Sequence, residues 1–184
     1  SELSDCKGNI RLDIGINLVI SEPAGAQDIL LNEVLFNPKD DGVDFIEIYN
    51  NSEKYIEPSL LFIRYISTSG TMTIKRLFIS EVMYPNTYLA LTSDTAKLQS
   101  KYPKTTNLRE LESFISMSND GGSLTIFDML GNTIDSIKFS EDQHFELLKS
   151  VDGVSLERVS FSGSSTSTSN WQSASASVGY ATPG

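Results

Sequence analysis

DILLNEVLFNPKDDGVDFIEIYN, residues 28–50, decides how this chain folds. Two apolar runs, 28–36 and 43–50, flank a connection built from Asn, Pro, Lys, Asp and Gly. In the second run Phe45, Glu47 and Tyr49 alternate with Ile46 and Ile48. Successive strand side chains point to opposite faces, so these two sets belong to two sides of one sheet. Runs this short, bounded by turn residues, predict two β-strands and no helix.

The same pattern extends outward. Strands are expected at 10–20, 61–68, 71–79, 87–92, 123–128, 133–139 and 154–160. Gly131-Asn132 closes a hairpin between 123–128 and 133–139, and Asn119-Asp120-Gly121-Gly122 makes a sharp entry to it. One short helix fits near 94–102, with Asp94 as its cap and Pro103 beyond its end. Many short strands at near-regular spacing predict an all-β sandwich. The Ser/Thr-rich stretch 160–170 has too little apolar area to bury and reads as a solvated loop. Trp171, the only Trp, follows it directly and reads as a structural anchor where the chain docks again.

The 184 residues are 39% apolar and carry a formal net charge of −10. An acidic chain repels phosphate backbones and anionic lipid, which argues against nucleic-acid or membrane-surface partners. No stretch approaches the roughly 20 apolar residues of a membrane helix. Cys6 is the only cysteine, so no intrachain disulfide forms. The chain opens SELSD, which reads as a piece of a longer or processed protein.

Three groups of residues suggest chemistry. Asp40, Asp41 and Asp44 surround Gly42 and invite calcium, a cation that takes six to eight oxygens. Their spacing fails the EF-hand pattern, and a plain Asp-Gly turn is the competing reading. Asn119 and Asp120 would complete a calcium site if their loop falls at the same end of the sandwich. Glu33, Glu47 and Glu157 lie within strands, where a buried carboxylate needs a partner. Arg158 is the expected partner, as a bidentate fork for Glu33 or Glu47 in a structural role. Paired glutamates also serve glycosidases, but only in a cleft. His144 stands alone, with no second His and no nucleophile motif, and reads as a hydrogen-bonded loop or edge residue. Neither it nor Cys6 makes an enzyme of the chain. The aromatics Tyr49, Tyr55, Phe62, Tyr65, Phe78, Tyr84 and Tyr88 either fill the core or line a sugar platform.

Several blocks resemble one family. ILLNEVLFNP followed by GVDFIEIYN is similar to the opening of lamin tail domains, and YLALTSD with LQSKYP to the middle block of their bacterial branch. DGVSLERVSF, then NWQSASASVGYATPG, resembles the closing block and is the most specific part. The resemblance covers 28–184 and implies an immunoglobulin-like β-sandwich. It implies a non-catalytic module of a secreted or cell-surface bacterial multidomain protein, with no active site to transfer. Partners would then be a protein or a glycan at the cell surface, and no cofactor beyond calcium is expected. LSDCKGNIRLD resembles the last strand of a bacterial Ig-like domain, through Asp5, Gly8 and Asn9. Residues 1–27 would then be an N-terminal strand and linker, residues 1–21 being a remnant of a preceding domain or a strand donated to the sandwich, with Glu22–Ala26 as the linker proper. Asp94-Thr95-Ala96 and Asp135-Ser136-Ile137 resemble an O-glycosylation motif of exported Gram-negative proteins, which points the same way.

Overall fold

The computed structural model describes residues 19–184 and, before them, only the pairing of β1 (Leu3–Ser4) with β2 (Ile10–Arg11). Cys6 and most of the strand expected at 10–20 lie outside the described residues. From Ile29 onward the alternating segments become strands. They are β3 (Ile29–Leu35), β4 (Phe45–Asn50), β5 (Leu61–Ser67), β6 (Met72–Arg76) and β7 (Tyr88–Thr92). After the helix α1 (Thr95–Lys101) come β8 (Leu108–Glu110), β9 (Gly122–Asp128), β10 (Thr133–Phe139), β11 (Leu156–Arg158) and β12 (Trp171–Ser173).

They form two sheets. One has six strands in the order β12-β11-β3-β4-β7-β8, the other four in the order β10-β9-β5-β6. Ile46, Ile48 and Leu91 of the first sheet and Ile63, Leu124 and Ile126 of the second share one buried cluster. From residue 19 onward the described residues are therefore mostly β, two sheets in a sandwich-like arrangement with one α-helix. No helix among the described residues is long and apolar enough to cross a membrane.

The register shifts between Leu31 and Glu33, placing a bulge at Asn32 opposite Glu47. Without that extra residue, Val34 and Leu35 would exchange faces. The helix begins where expected: the Asp94 side chain accepts from the Lys97 N–H at 2.8 Å. Its Leu98, together with Ala181 near the chain end, covers Leu35, Phe45 and Ala90. The six-stranded sheet is thus packed on both faces. The parallel neighbours β7 and β8 are joined through α1, the crossover that parallel strands require.

β8 and β12 escape the sequence reading because three residues are too few to display a period. The strand expected at 71–79 ends at Arg76. Beyond it, Phe78 N bonds Arg76 O and Ile79 N bonds Leu77 O, tight bends that bury Leu77 and Ile79 and leave Phe78 outside. Glu22–Ala26, expected as a linker, lies against the sandwich: Glu22 N bonds Tyr55 O, and Ala24 packs on the core.

Candidate functional site

The aspartate loop is a turn in which Gly42 N bonds Lys39 O at 2.7 Å and Asp41 adopts φ +60°. Asp40 and Asp41 face solvent. Asp44 turns inward and accepts from Met117 N at 2.7 Å; burial pushes it up to about 7 against that hydrogen bond. The three carboxylates are therefore not gathered on one point. Asp40 and Asn119 do line one open hollow of about 950 Å³, so their two loops share an end of the molecule. Lys39 and Lys149 line it as well, and oppose a cation. Among the described residues no group of three or more His, Cys, Asp or Glu is disposed to hold a metal ion.

The glutamates form a row. Glu157 stands opposite Glu33, and Glu33 opposite Glu47, across β11, β3 and β4. Like charges so placed destabilise a sheet. Donors from Asn32, Ser155, Thr182 and Gly184 relieve them. Ser155 Oγ donates to Glu33 Oε1 at 2.5 Å and Thr182 N to the same oxygen at 2.9 Å. Gly184 N donates to Glu47 Oε2 at 2.6 Å, and Asn32 Nδ2 to Glu47 Oε1 at 2.7 Å. Burial raises Glu33 to about 8, with Glu47 adding to the rise, and raises Glu47 to about 7.

Thr182 Oγ1 lies 3.1 Å from Glu33 Oε2 and 3.0 Å from Glu157 Oε1. A hydroxyl has one proton to give. Both contacts are hydrogen bonds at once when one of the two carboxyls carries a proton, and burial favours Glu33, which then donates to Thr182 while Thr182 donates to Glu157. A neutral Glu33 also removes the like-charge repulsion on both sides of it. The arrangement favours a proton on Glu33, and neither Glu33 nor Glu47 is exposed to solvent.

The expected fork from Arg158 to these glutamates is corrected by the strand itself. Arg158 follows Glu157 in β11, so it points to the opposite face. There its Nη2 meets Asp135 Oδ2 at 2.8 Å and donates to Ser165 Oγ at 2.7 Å, while Nε donates to Leu31 O at 2.8 Å. Asp135 also accepts from Leu31 N at 2.8 Å. The pair thus ties β10 of one sheet to β3 and β11 of the other. The guanidinium lies 5.0 Å from the Trp171 ring centre, and Trp171 Nε1 donates to Ser165 O at 2.9 Å. Glu33 and Glu47 thus bond Ser155, Thr182, Gly184 and Asn32 in place of Arg158. Asp135 was overlooked, although it shares parity with Ile137 and Phe139 in its strand.

The Ser/Thr stretch is more organised than a solvated loop. The Asn170 side chain bonds Ser160 N, Ser160 O and Ser164 O, and Ser165 is buried. Side-chain bonds to backbone replace the apolar anchors that the stretch lacks. His144 is buried, stacked on Phe36, with Nδ1 3.0 Å from Ser173 Oγ; burial pulls its pKa down. Of the two sequons, Asp135 is buried in its ion pair, and Thr95 opens the helix with its Oγ1 3.3 Å from Glu110.

The aromatics divide. Tyr49 and Tyr65 are buried, whereas Phe78, Tyr84 and Tyr88 are exposed. Phe62 stacks on Phe127 at 5.4 Å, on the outer side of the four-stranded sheet. That side is read directly from the register. Its first row is Thr133, Phe127, Phe62 and Arg76; its second is Ser136, Thr125, Arg64 and Ile74; its third is Lys138, Ser123, Ile66 and Met72. No helix or chain end among the described residues covers it as α1 covers the other sheet, and Ile74 and Met72 are 47% and 59% exposed. Compared with protein-family models and with curated proteins, the chain matches none.

Proposed function

We propose that the chain is a non-catalytic interaction module, an immunoglobulin-like sandwich of the lamin-tail type, carried by a secreted or cell-surface bacterial multidomain protein. The family and setting rest on the sequence blocks quoted above. The interaction role rests on one observation: the outer side of the four-stranded sheet bears an apolar stripe with no cover among the described residues, while the other sheet is packed on both sides. The absence of chemistry is supported by where the ionisable groups point. Glu33, Glu47, Asp44, Asp135 and Arg158 each bond the chain's own backbone or side chains, and Glu33 and Glu47 are sealed from solvent.

Photo-crosslinking amino acids at 66 and 74, with 130 as an exposed control, test the role in cells that make the protein. Discrete adducts from 66 and 74 and none from 130 support it. Adducts from all three positions, or from none, overturn it.

A second reading, a carbohydrate-binding module, has its own observation. Tyr88 and Phe161, each 37% exposed, line a shallow hollow of about 370 Å³ with Asn32 and Glu157. An aromatic beside planar polar groups suits a sugar ring. The Tyr49 ring stacks on Phe161 at 4.4 Å and takes up one of its faces. Tyr88→Ala tested against a panel of soluble glycans decides this reading; no binding by either form removes it.

A further inference from the structure

We infer that the outer side of the four-stranded sheet docks a protein surface that carries carboxylates among apolar groups. This rests on the reading of that side as an interaction surface and adds the chemistry of the partner.

The charge distribution carries the inference. The three rows contain Arg64, Arg76 and Lys138 and no Asp or Glu. They sit on a chain whose net charge is −10. None of the three makes an ion pair among the described residues, where the pairs are Lys54–Asp28, Arg109–Glu81 and Arg158–Asp135. Instead Arg64 lies over Phe127 at 5.9 Å and Arg76 over Phe78 at 5.1 Å. Arg76 Nε donates to Ser59 O at 2.6 Å and Arg64 Nη2 to Thr125 Oγ1 at 3.4 Å, and their remaining Nη hydrogens have no carboxylate partner among the described residues. Arg, Met and aromatic residues together are the composition of interface centres.

The apolar residues separate partner classes. Ile66, Ile74 and Met72 offer a sugar ring no flat face, and the two aromatics of this side, Phe62 and Phe127, stack on each other, with Arg64 over Phe127. A second copy seated face to face would oppose cations to cations, and repulsion of that kind costs specificity and affinity. Addition of a strand to the free edge at β6 is opposed by Lys75, which pairs with Ile63 and points to the core side of the sheet. What remains is a protein surface meeting the stripe with apolar groups and the cations with carboxylates.

The test uses the whole chain, labelled for amide NMR, and four probes. These are a random glutamate–tyrosine copolymer, polyglutamate, a lysine–tyrosine copolymer and heparin. The glutamate–tyrosine copolymer is expected to shift amides of β5, β6 and β9, and to bind about tenfold more tightly than polyglutamate or the lysine copolymer. Raising salt from low to several hundred millimolar should weaken it about tenfold, because rim charges are screened. Arg64→Glu should abolish the shifts. Lys138→Glu, at an exposed position, should weaken binding severalfold and serves where Arg64→Glu does not fold. No shift with the glutamate–tyrosine copolymer overturns the inference, as does equal binding of polyglutamate. Tighter binding of heparin overturns it in favour of an anionic glycan, and concentration-dependent self-association through these amides in favour of a second copy. Crosslinks from 66 and 74 without any response to the acidic probes would overturn the partner chemistry and leave the docking role standing.

Discussion

The two outer sides of the sandwich differ in what returns to cover them. The six-stranded sheet turns three glutamates outward, and the chain end folds back to donate N–H and O–H groups to them. The four-stranded sheet turns three cations and an apolar stripe outward, with no cover among the described residues. Both sides are written in the same alternating pattern. Alternation decides which residues share a side, whereas long-range docking decides whether that side meets protein or water. A carboxylate row with donors above it is internal structure; a cation row without carboxylates is a surface in want of a partner.

The largest expected effect breaks the tie between the two sheets. Asp135→Ala leaves the Arg158 guanidinium buried without its counter-ion, and loss of one partner of a buried pair costs about 3–5 kcal/mol. A 184-residue chain should then melt roughly ten degrees lower or more. Replacing both residues by apolar ones, Asp135→Leu with Arg158→Met, should recover much of the loss. Equal melting of the single and double variants would show that packing around Trp171, not charge, holds the sheets together.

The glutamate side is expected to respond to pH. Glu33 titrates at 4.5 when unfolded and is raised to about 8 in the fold. Between those values only the native state holds the proton. The stability linked to it is full below pH 4.5 and is lost as pH rises toward 8, by at most about 1.4 kcal/mol per unit. Glu47 and Asp44, both raised to about 7, act in the same direction. His144, lowered from 6.5, acts oppositely and penalises acid conditions. The three carboxyls outweigh the one imidazole, so melting should be highest near pH 4.5 and fall toward pH 8. Glu33→Gln mimics the protonated acid and keeps its acceptor for Thr182 N. It should stabilise at pH 8 by on the order of 2 kcal/mol, change little at pH 5, and flatten the profile. A profile unchanged by the substitution would mean that Glu33 is ionised in the fold.

Thr182→Val is the smaller perturbation of the same cover. It keeps the backbone N–H on Glu33 and removes the hydroxyl shared with Glu157, for about 1–2 kcal/mol. If the shared proton is real, this loss should be greater at pH 5 than at pH 9, where Glu33 is ionised and the one hydroxyl proton can serve only one of the two carboxyl groups.

Much of this was legible and some was not. Both members of each strand pair from 28–50 and 123–139 follow from alternation and turn residues, as do the Asp94 cap and the helix. Arg158 was misdirected because pairing was judged by charge; the parity of Glu157 and Arg158 in one strand already placed them on opposite sides. Asp135 announced itself by sharing parity with Ile137 and Phe139, an acid on an apolar side. The shelter over Glu33 was not legible, since Thr182 lies 149 positions away and no local pattern encodes so distant a contact. The Ser/Thr stretch misled because composition cannot reveal that Asn170 gathers three backbone groups. The fate of Asp44 turned on the Met117 amide, again a long-range partner. With Asp44 turned away from Asp40 and Asp41, millimolar calcium added after EDTA should leave the melting midpoint unmoved. A rise that disappears in Asp41→Asn would instead make the loop a calcium site.

The smallest effect is the most diagnostic of the contrast between the two sides. Ile74→Thr keeps a β-branched side chain on an exposed strand position, so it should alter stability by no more than about 0.5 kcal/mol. Leu35→Thr, on the covered side of the other sheet and 1% exposed, should cost about 3 kcal/mol, through the lost methyl group and a buried hydroxyl. Both remove aliphatic bulk from an outward-facing strand position, so intrinsic propensity does not distinguish them. A large loss from Ile74→Thr would mean that the stripe on the four-stranded sheet is already covered in solution, by the chain itself or by a second copy. A negligible loss, with crosslinking from position 66 abolished, would mean that the stripe contributes nothing to the fold and everything to the contact.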